Sequence, residues 1–190
     1  MLATVSSASA ETFYLTETSE DVSGIRIEVV FNGTHISVRD VSPALVGVPN
    51  VDIKAIRLYL DDTNVTSVTD DSGSGSINVW THAPSYKSNF AGFGEFNTLC
   101  NKATDSIKSR GPIVIALSPS FNQPHLPENS LKNSIVVHLG FGTELIDVGG
   151  ADQDSSWVTG SAQIPEFSSI ALPVATIMGI MFFMGRRRKE

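Results

Sequence analysis

Between Ser168 and Met184 the chain carries no charged residue for 17 positions, and the run ends on Gly185, Arg186, Arg187, Arg188, Lys189 and Glu190. The interior of a water-soluble domain suits such a run poorly. A core helix would keep a polar face, and Pro173 would break it about one turn in. A membrane suits it better, because 17 residues at ~1.5 Å each reach roughly 26 Å, just enough to cross a hydrocarbon layer of about 30 Å. The sequence therefore predicts one C-terminal transmembrane helix over 168–184. The basic tail 186–189 orients it by the positive-inside rule, with the C-terminus cytoplasmic and the preceding body outside.

A body outside needs an export signal. The chain opens Met1-Leu-Ala-Thr-Val-Ser-Ser-Ala8-Ser9-Ala10, and Ala8 and Ala10 stand at the small-x-small positions that signal peptidases recognise. The basic n-region and most of the apolar stretch are missing. We read residues 1–10 as the remnant of a signal peptide whose start lies upstream, with a plain N-terminal tail as the alternative.

The charge balance bears on partners. The chain has 13 basic and 20 acidic residues. Four of the cations and one acid lie beyond residue 185, which leaves 9 cations against 19 anions before it, a net of −10. A body this acidic lacks the clustered Lys and Arg that phosphate neutralisation requires, so nucleic acid is excluded as a partner. A charged fraction of 17% with 41% hydrophobic residues also excludes a disordered acidic tail.

Directly before the apolar run stands Gln163-Ile164-Pro165-Glu166-Phe167-Ser168-Ser169. Pro165-Glu166-Phe167, then one short apolar stretch, then a terminal basic cluster, closely resembles the PEF-CTERM sorting signals of archaeal surface proteins. The resemblance implies that residues 165–190 are a processing substrate for an archaeosortase, a membrane-embedded cysteine transpeptidase that cuts near the motif and transfers the body to a lipid anchor. It covers 26 of 190 residues and implies nothing about the body. Rival anchors fit less well. Leu172-Pro173-Val174-Ala175-Thr176 lacks the Leu-Pro-x-Thr-Gly spacing and lies inside the apolar run. A GPI-type signal at Ser168 and Ser169 would need a polar spacer, and none follows. An uncut single-pass anchor is the remaining alternative.

The body reads as strands. In Ile25-Arg26-Ile27-Glu28-Val29-Val30-Phe31 and Thr34-His35-Ile36-Ser37-Val38 apolar residues alternate on either side of Asn32-Gly33, which predicts a hairpin with a type I′ turn. From Val51 to Leu60 the alternation slips near Ala55, as a β-bulge would allow. Ile77 to Trp80, Ile113 to Leu117 and Ile135 to Phe141 suggest further strands, the second of them buried on both faces. Thr12 to Thr16 and Trp157 to Thr159 add candidates at the edges, and Gly92-Phe93-Gly94-Glu95-Phe96 has the look of a glycine-rich strand. The fold class expected is all-β, an antiparallel β-sandwich (Ig-like or jelly-roll-like) over 11–156, with a stalk over 157–164 ahead of the sorting signal at 165–190. The single cysteine, Cys100, provides no internal disulfide and is expected in the core.

Residues for chemistry are scattered. His35, His82, His125 and His138 have no metal-ligand spacing. Gly73-Ser74-Gly75-Ser76 lacks the nucleophile-elbow pattern, and no helix follows Gly92-Phe93-Gly94 or Gly140-Phe141-Gly142 to make a phosphate loop. Two acidic groups remain, Asp61, Asp62, Asp70 and Asp71 around one expected loop and Asp147, Asp152 and Asp154 in another. The first is the better candidate for calcium, which needs about six to eight oxygens, although a solvated acidic loop explains both groups. No other cofactor is expected. Asn32-Gly33-Thr34 and Asn64-Val65-Thr66 are N-x-Thr glycosylation acceptors.

Together these features predict a cell-surface protein, anchored in the membrane until an archaeosortase processes it. The ectodomain is expected to be a non-enzymatic binding or structural module whose partner is an envelope protein or a glycan. A secreted, membrane-anchored hydrolase acting on glycans through paired carboxylates is the alternative, and ligand capture for a transporter would need a large pocket. No catalytic residue is assigned.

Overall fold

The computed structural model describes residues 10–20, 22–43, 51–61, 64–71, 79–90, 92–103, 108–120, 125–141, 146–148, 151–153 and 155–160. The signal-peptide positions, the sorting motif, the span 168–184 and the basic tail lie outside them. Among the described residues no helix is long and apolar enough to cross a membrane.

The described residues form strands β1 (Glu11–Leu15), β2 (Glu17–Thr18), β3 (Ile27–Phe31), β4 (His35–Asp40), β5 (Asp52–Leu58), β6 (Asn64–Asp70) and β7 (Trp80–Phe90). These are followed by β8 (Gly94–Lys102), β9 (Ile113–Ser118), β10 (Ile135–Gly140), β11 (Ile146–Val148), β12 (Ala151–Gln153) and β13 (Ser155–Thr159). One sheet has the order β1-β3-β4-β9-β6 and the other β2-β13-β10-β5-β8-β7, while β11 and β12 form a separate hairpin. Every ladder is antiparallel.

Both sheets feed one core. Leu15, Ile27, Phe31, Ile36 and Ile115 from the first meet Ile53, Ile56, Leu58, Val137 and Val158 from the second, all at most 1% exposed. Each such side chain contributes about 1.5–3 kcal/mol on leaving water. The expected antiparallel sandwich is therefore present. Among the described residues its two sheets have five and six strands.

The β3–β4 hairpin forms where Asn32-Gly33 predicts it, but with a different turn. Phe31 pairs with Ile36, so the two loop residues between Asn32 and His35 are Gly33 and Thr34. Gly33 has φ 86°, and Asn32 is not among the residues with positive φ. Glycine at the first loop position is the type II′ arrangement rather than I′. The phase slip in β5 is also present. Ala55 pairs with His138 and Ile53 with Leu139, so Lys54 is the extra residue, and the slip lets Ile53, Ile56 and Leu58 all face the core.

Two further expectations change. Ile113 to Leu117 is not buried on both faces, because Val114 and Ala116 are half-buried on the outer side of β9. The strands buried on both faces are the central β5 and β10; in β10 Ile135, Val136, Val137 and Leu139 are each 0% exposed. The stalk does not begin at residue 157. Trp157, Val158 and Thr159 belong to β13, held between β2 and β10, because Val158 pairs with Val137 in the core and the Thr159 hydroxyl donates to the Ile135 carbonyl at 2.7 Å. The folded domain thus extends at least to Gly160.

Strand β6 and most of β7 show no alternation in sequence; of the strand expected over Ile77 to Trp80, residues 77–78 lie outside the described residues and Trp80 opens β7. A bulge at Thr66 spaces the two inward valines of β6, Val65 and Val68, three apart and hides the alternation. In β7, Pro84 reads as a strand breaker, yet β7 is the edge of its sheet, where a missing N–H is tolerated.

Candidate functional site

The described chain ends where β13 leaves the sandwich. Gly160 lies hard against β1: a Cβ there would sit 2.9 Å from the Tyr14 carbonyl oxygen and 3.1 Å from Leu15 Cα. Glycine permits this close backbone approach. Beside it opens a cleft of about 470 Å³ lined by Thr12, Phe13, Tyr14, Thr16, Glu17, Arg26 and Gly160. The Arg26 guanidinium carbon stands 3.8 Å over the Tyr14 ring, a cation–π contact that holds one wall. Glu17 is the one carboxylate in this lining, which contains no histidine or cysteine.

On the outer face of the six-stranded sheet His138 and Trp157, opposite one another in the β10–β13 ladder, stack at 4.3 Å and 11°. Phe90 tilts against Trp157 at 4.2 Å, and Arg57 lies 3.8 Å over the Phe90 ring. These half-buried rings pack on one another and on Arg57, which is only 8% exposed. The other histidines are dispersed. His35 Nδ1 is 2.9 Å from Thr34 Oγ1, His125 Nδ1 is 2.9 Å from Glu11 Oε1, and His82 is exposed on β7.

The calcium candidates are not brought together. Asp61 precedes β6, whereas Asp70 ends it and Asp71 follows. The seven residues of β6 at ~3.3 Å per step put Asn64 and Asp70 roughly 20 Å apart, and Asp61 stands on the Asn64 side of that strand in sequence. Asp62 lies outside the described residues. Asp147 and Asp152 pair across the β11–β12 ladder, and Asp154 is not described. Among the described residues no group of three or more His, Cys, Asp or Glu is placed to hold a metal ion.

The glycosylation acceptors are both exposed. Asn32 organises the hairpin turn, its Oδ1 accepting from Thr34 N at 3.0 Å, Thr34 Oγ1 at 3.0 Å and His35 N at 2.8 Å. Asn64 opens β6 opposite Ser118. Cys100, expected in the core, is 0% exposed there, and burial pushes its thiol up to about 12.

No curated protein and no solved structure matches the chain. One family model does, over residues 164–188. That stretch contains the Pro165-Glu166-Phe167 motif, the apolar run and three of the four terminal cations. The chain thus ends in a PEF-CTERM archaeal protein sorting domain, and the family of its ectodomain is not defined by any match.

Proposed function

We propose that this chain is an exported archaeal surface protein, held by its C-terminal apolar run until an archaeosortase cuts near Pro165-Glu166-Phe167. Its ectodomain serves as a non-enzymatic binding or structural module of the cell envelope. The match over 164–188 carries the processing part of this reading. Its position adds support, since Thr159 ends the last strand six residues before Pro165. A connection that short spans at most about 20 Å, so the body stands close to the membrane surface.

The cleft beside Gly160 lacks the residue pair that the hydrolase alternative would need there. Glycan hydrolysis uses two carboxylates about 5–9.5 Å apart, and the cleft lining contains one, Glu17.

Mass spectrometry of the native protein taken from its membrane tests the reading. The expected mature chain lacks Arg186 to Lys189 and carries a lipid mass at a new C-terminus near residue 165. A mature protein that retains the basic tail would overturn processing by an archaeosortase.

A further inference from the structure

The two N-x-Thr tripeptides lie far apart in sequence, yet the five-stranded sheet brings them to one end. Leu117 N donates to the Thr34 carbonyl at 2.8 Å, and Leu117 pairs with Val65 while Ser118 pairs with Asn64. The end of β9 is thus flanked by the Asn32 turn on one side and by the start of β6 on the other. With strands ~4.8 Å apart, three strand spacings and a two-residue offset place the asparagines roughly 15 Å from each other.

The atoms are also disposed correctly. All three hydrogen bonds made by the Asn32 side chain use Oδ1 as acceptor, which leaves Nδ2 outside the turn's bonding and exposed. Attaching a sugar to Nδ2 keeps the carbonyl that organises the turn. Asn64 is likewise exposed at the first position of an edge strand, and its partner hydroxyl, Thr66 Oγ1, sits in the bulge and donates to the Ala116 carbonyl at 3.2 Å.

We propose that Asn32 and Asn64 form a paired N-glycan attachment site at this end of the sheet. The donor is a glycan carried on a lipid phosphate or diphosphate. Each Nδ2 bonds to the anomeric carbon of the donor, the bond from that carbon to the phosphate oxygen breaks, the phosphate leaves with the electron pair, and one Nδ2 proton is released. The proposal rests on export of the body, because donor and transferase must meet it outside the membrane.

Peptide mass spectrometry of the full chain, purified from the membrane of the organism that makes it, provides the test. Peptides containing Asn32 and Asn64 should each carry a glycan mass. Asn32→Asp keeps the Oδ1 acceptor and the turn, and should remove one glycan. Asn64→Asp should remove the other, as should Thr66→Val, which leaves Asn64 itself in place. Unmodified Asn32 and Asn64 peptides in the native protein would overturn the proposal. The C-terminal peptide of the same sample separates the two readings: a processed end with bare asparagines overturns the glycans alone, whereas an intact basic tail with bare asparagines overturns both.

Discussion

The Lys102 ammonium lies 2.8 Å from Asp52 Oδ1 with both side chains shut away from water, 1% and 7% exposed. The same oxygen accepts the Ser109 N–H at 2.7 Å. A buried carboxylate needs such partners, since removing one leaves a charge that the interior solvates poorly. Lys102→Met should therefore cost about 3–5 kcal/mol in denaturant unfolding. Adding Asp52→Leu to it should restore part of that loss, because the uncompensated charge disappears. A Lys102→Met variant as stable as the parent would show that the pair is not a fixed feature of the fold.

Asn129 sits in a stretch that reads as a turn-rich loop, yet it is 4% exposed. Its Nδ2 donates to the Phe93 and Glu95 carbonyls, and its Oδ1 accepts from Leu131 N and Asn133 N. It fastens the β7–β8 turn to the connection before β10. Asn129→Ala removes a side-chain partner from four backbone groups, of which the Asn133 N–H bond is buried, at about 1–3 kcal/mol for each buried group left unsatisfied. Asn129→Asp, which keeps the acceptor but loses the donors, should fall between alanine and the parent in thermal midpoint.

Cys100 links stability to alkaline pH. Its thiol is raised from 9.0 to about 12 by burial, so the folded state keeps the proton where the unfolded state has lost it. The stabilisation is complete below pH 9 and is lost as pH rises toward 12. Between pH 9 and pH 10 the parent should lose up to about 1 kcal/mol more than Cys100→Ala does, at ~1.4 kcal/mol per pH unit. Equal slopes for the two proteins would contradict this. Thiol reagents at pH 8 should label the chain only at the rate of its unfolding.

Gly160 marks the exit from the sandwich. Gly160→Ala would press a Cβ onto the Tyr14 carbonyl and should cost about 1–3 kcal/mol, as overpacking does elsewhere. The loss should be read in hydrogen exchange as faster exchange at Thr16, whose N–H donates to the Thr159 carbonyl at 3.1 Å. Unchanged exchange there would mean that the end of β13 does not depend on this approach.

Calcium should leave the thermal midpoint where it is. Among the described residues no three His, Cys, Asp or Glu are grouped to hold a metal ion, and a ligand that binds only the native state would raise the midpoint. A rise of several degrees on adding millimolar calcium, reversed by chelator, would refute this.

The sequence by itself determined the two features with short-range causes. A charge-free run closed by four cations needs no tertiary partner to be read, because hydrophobic length and charge position act locally. Alternation in Ile25 to Phe31 and Thr34 to Val38 fixed a hairpin for the same reason, and the slip near Ala55 announced its bulge. Tertiary structure decided what depends on neighbours across a sheet. Val114 looks buried on both faces until its strand is placed in a sheet whose outer side is open, and Trp157 to Thr159 read both as an edge strand and as the start of a stalk until Val158 finds Val137. Asp61 and Asp70 are near in sequence, but an extended strand lies between them. Asn32 and Asn64 are 32 residues apart and meet only because β9 pairs with both β4 and β6. Strand pairing joins residues at any separation along the chain, so its register cannot be read from either segment alone.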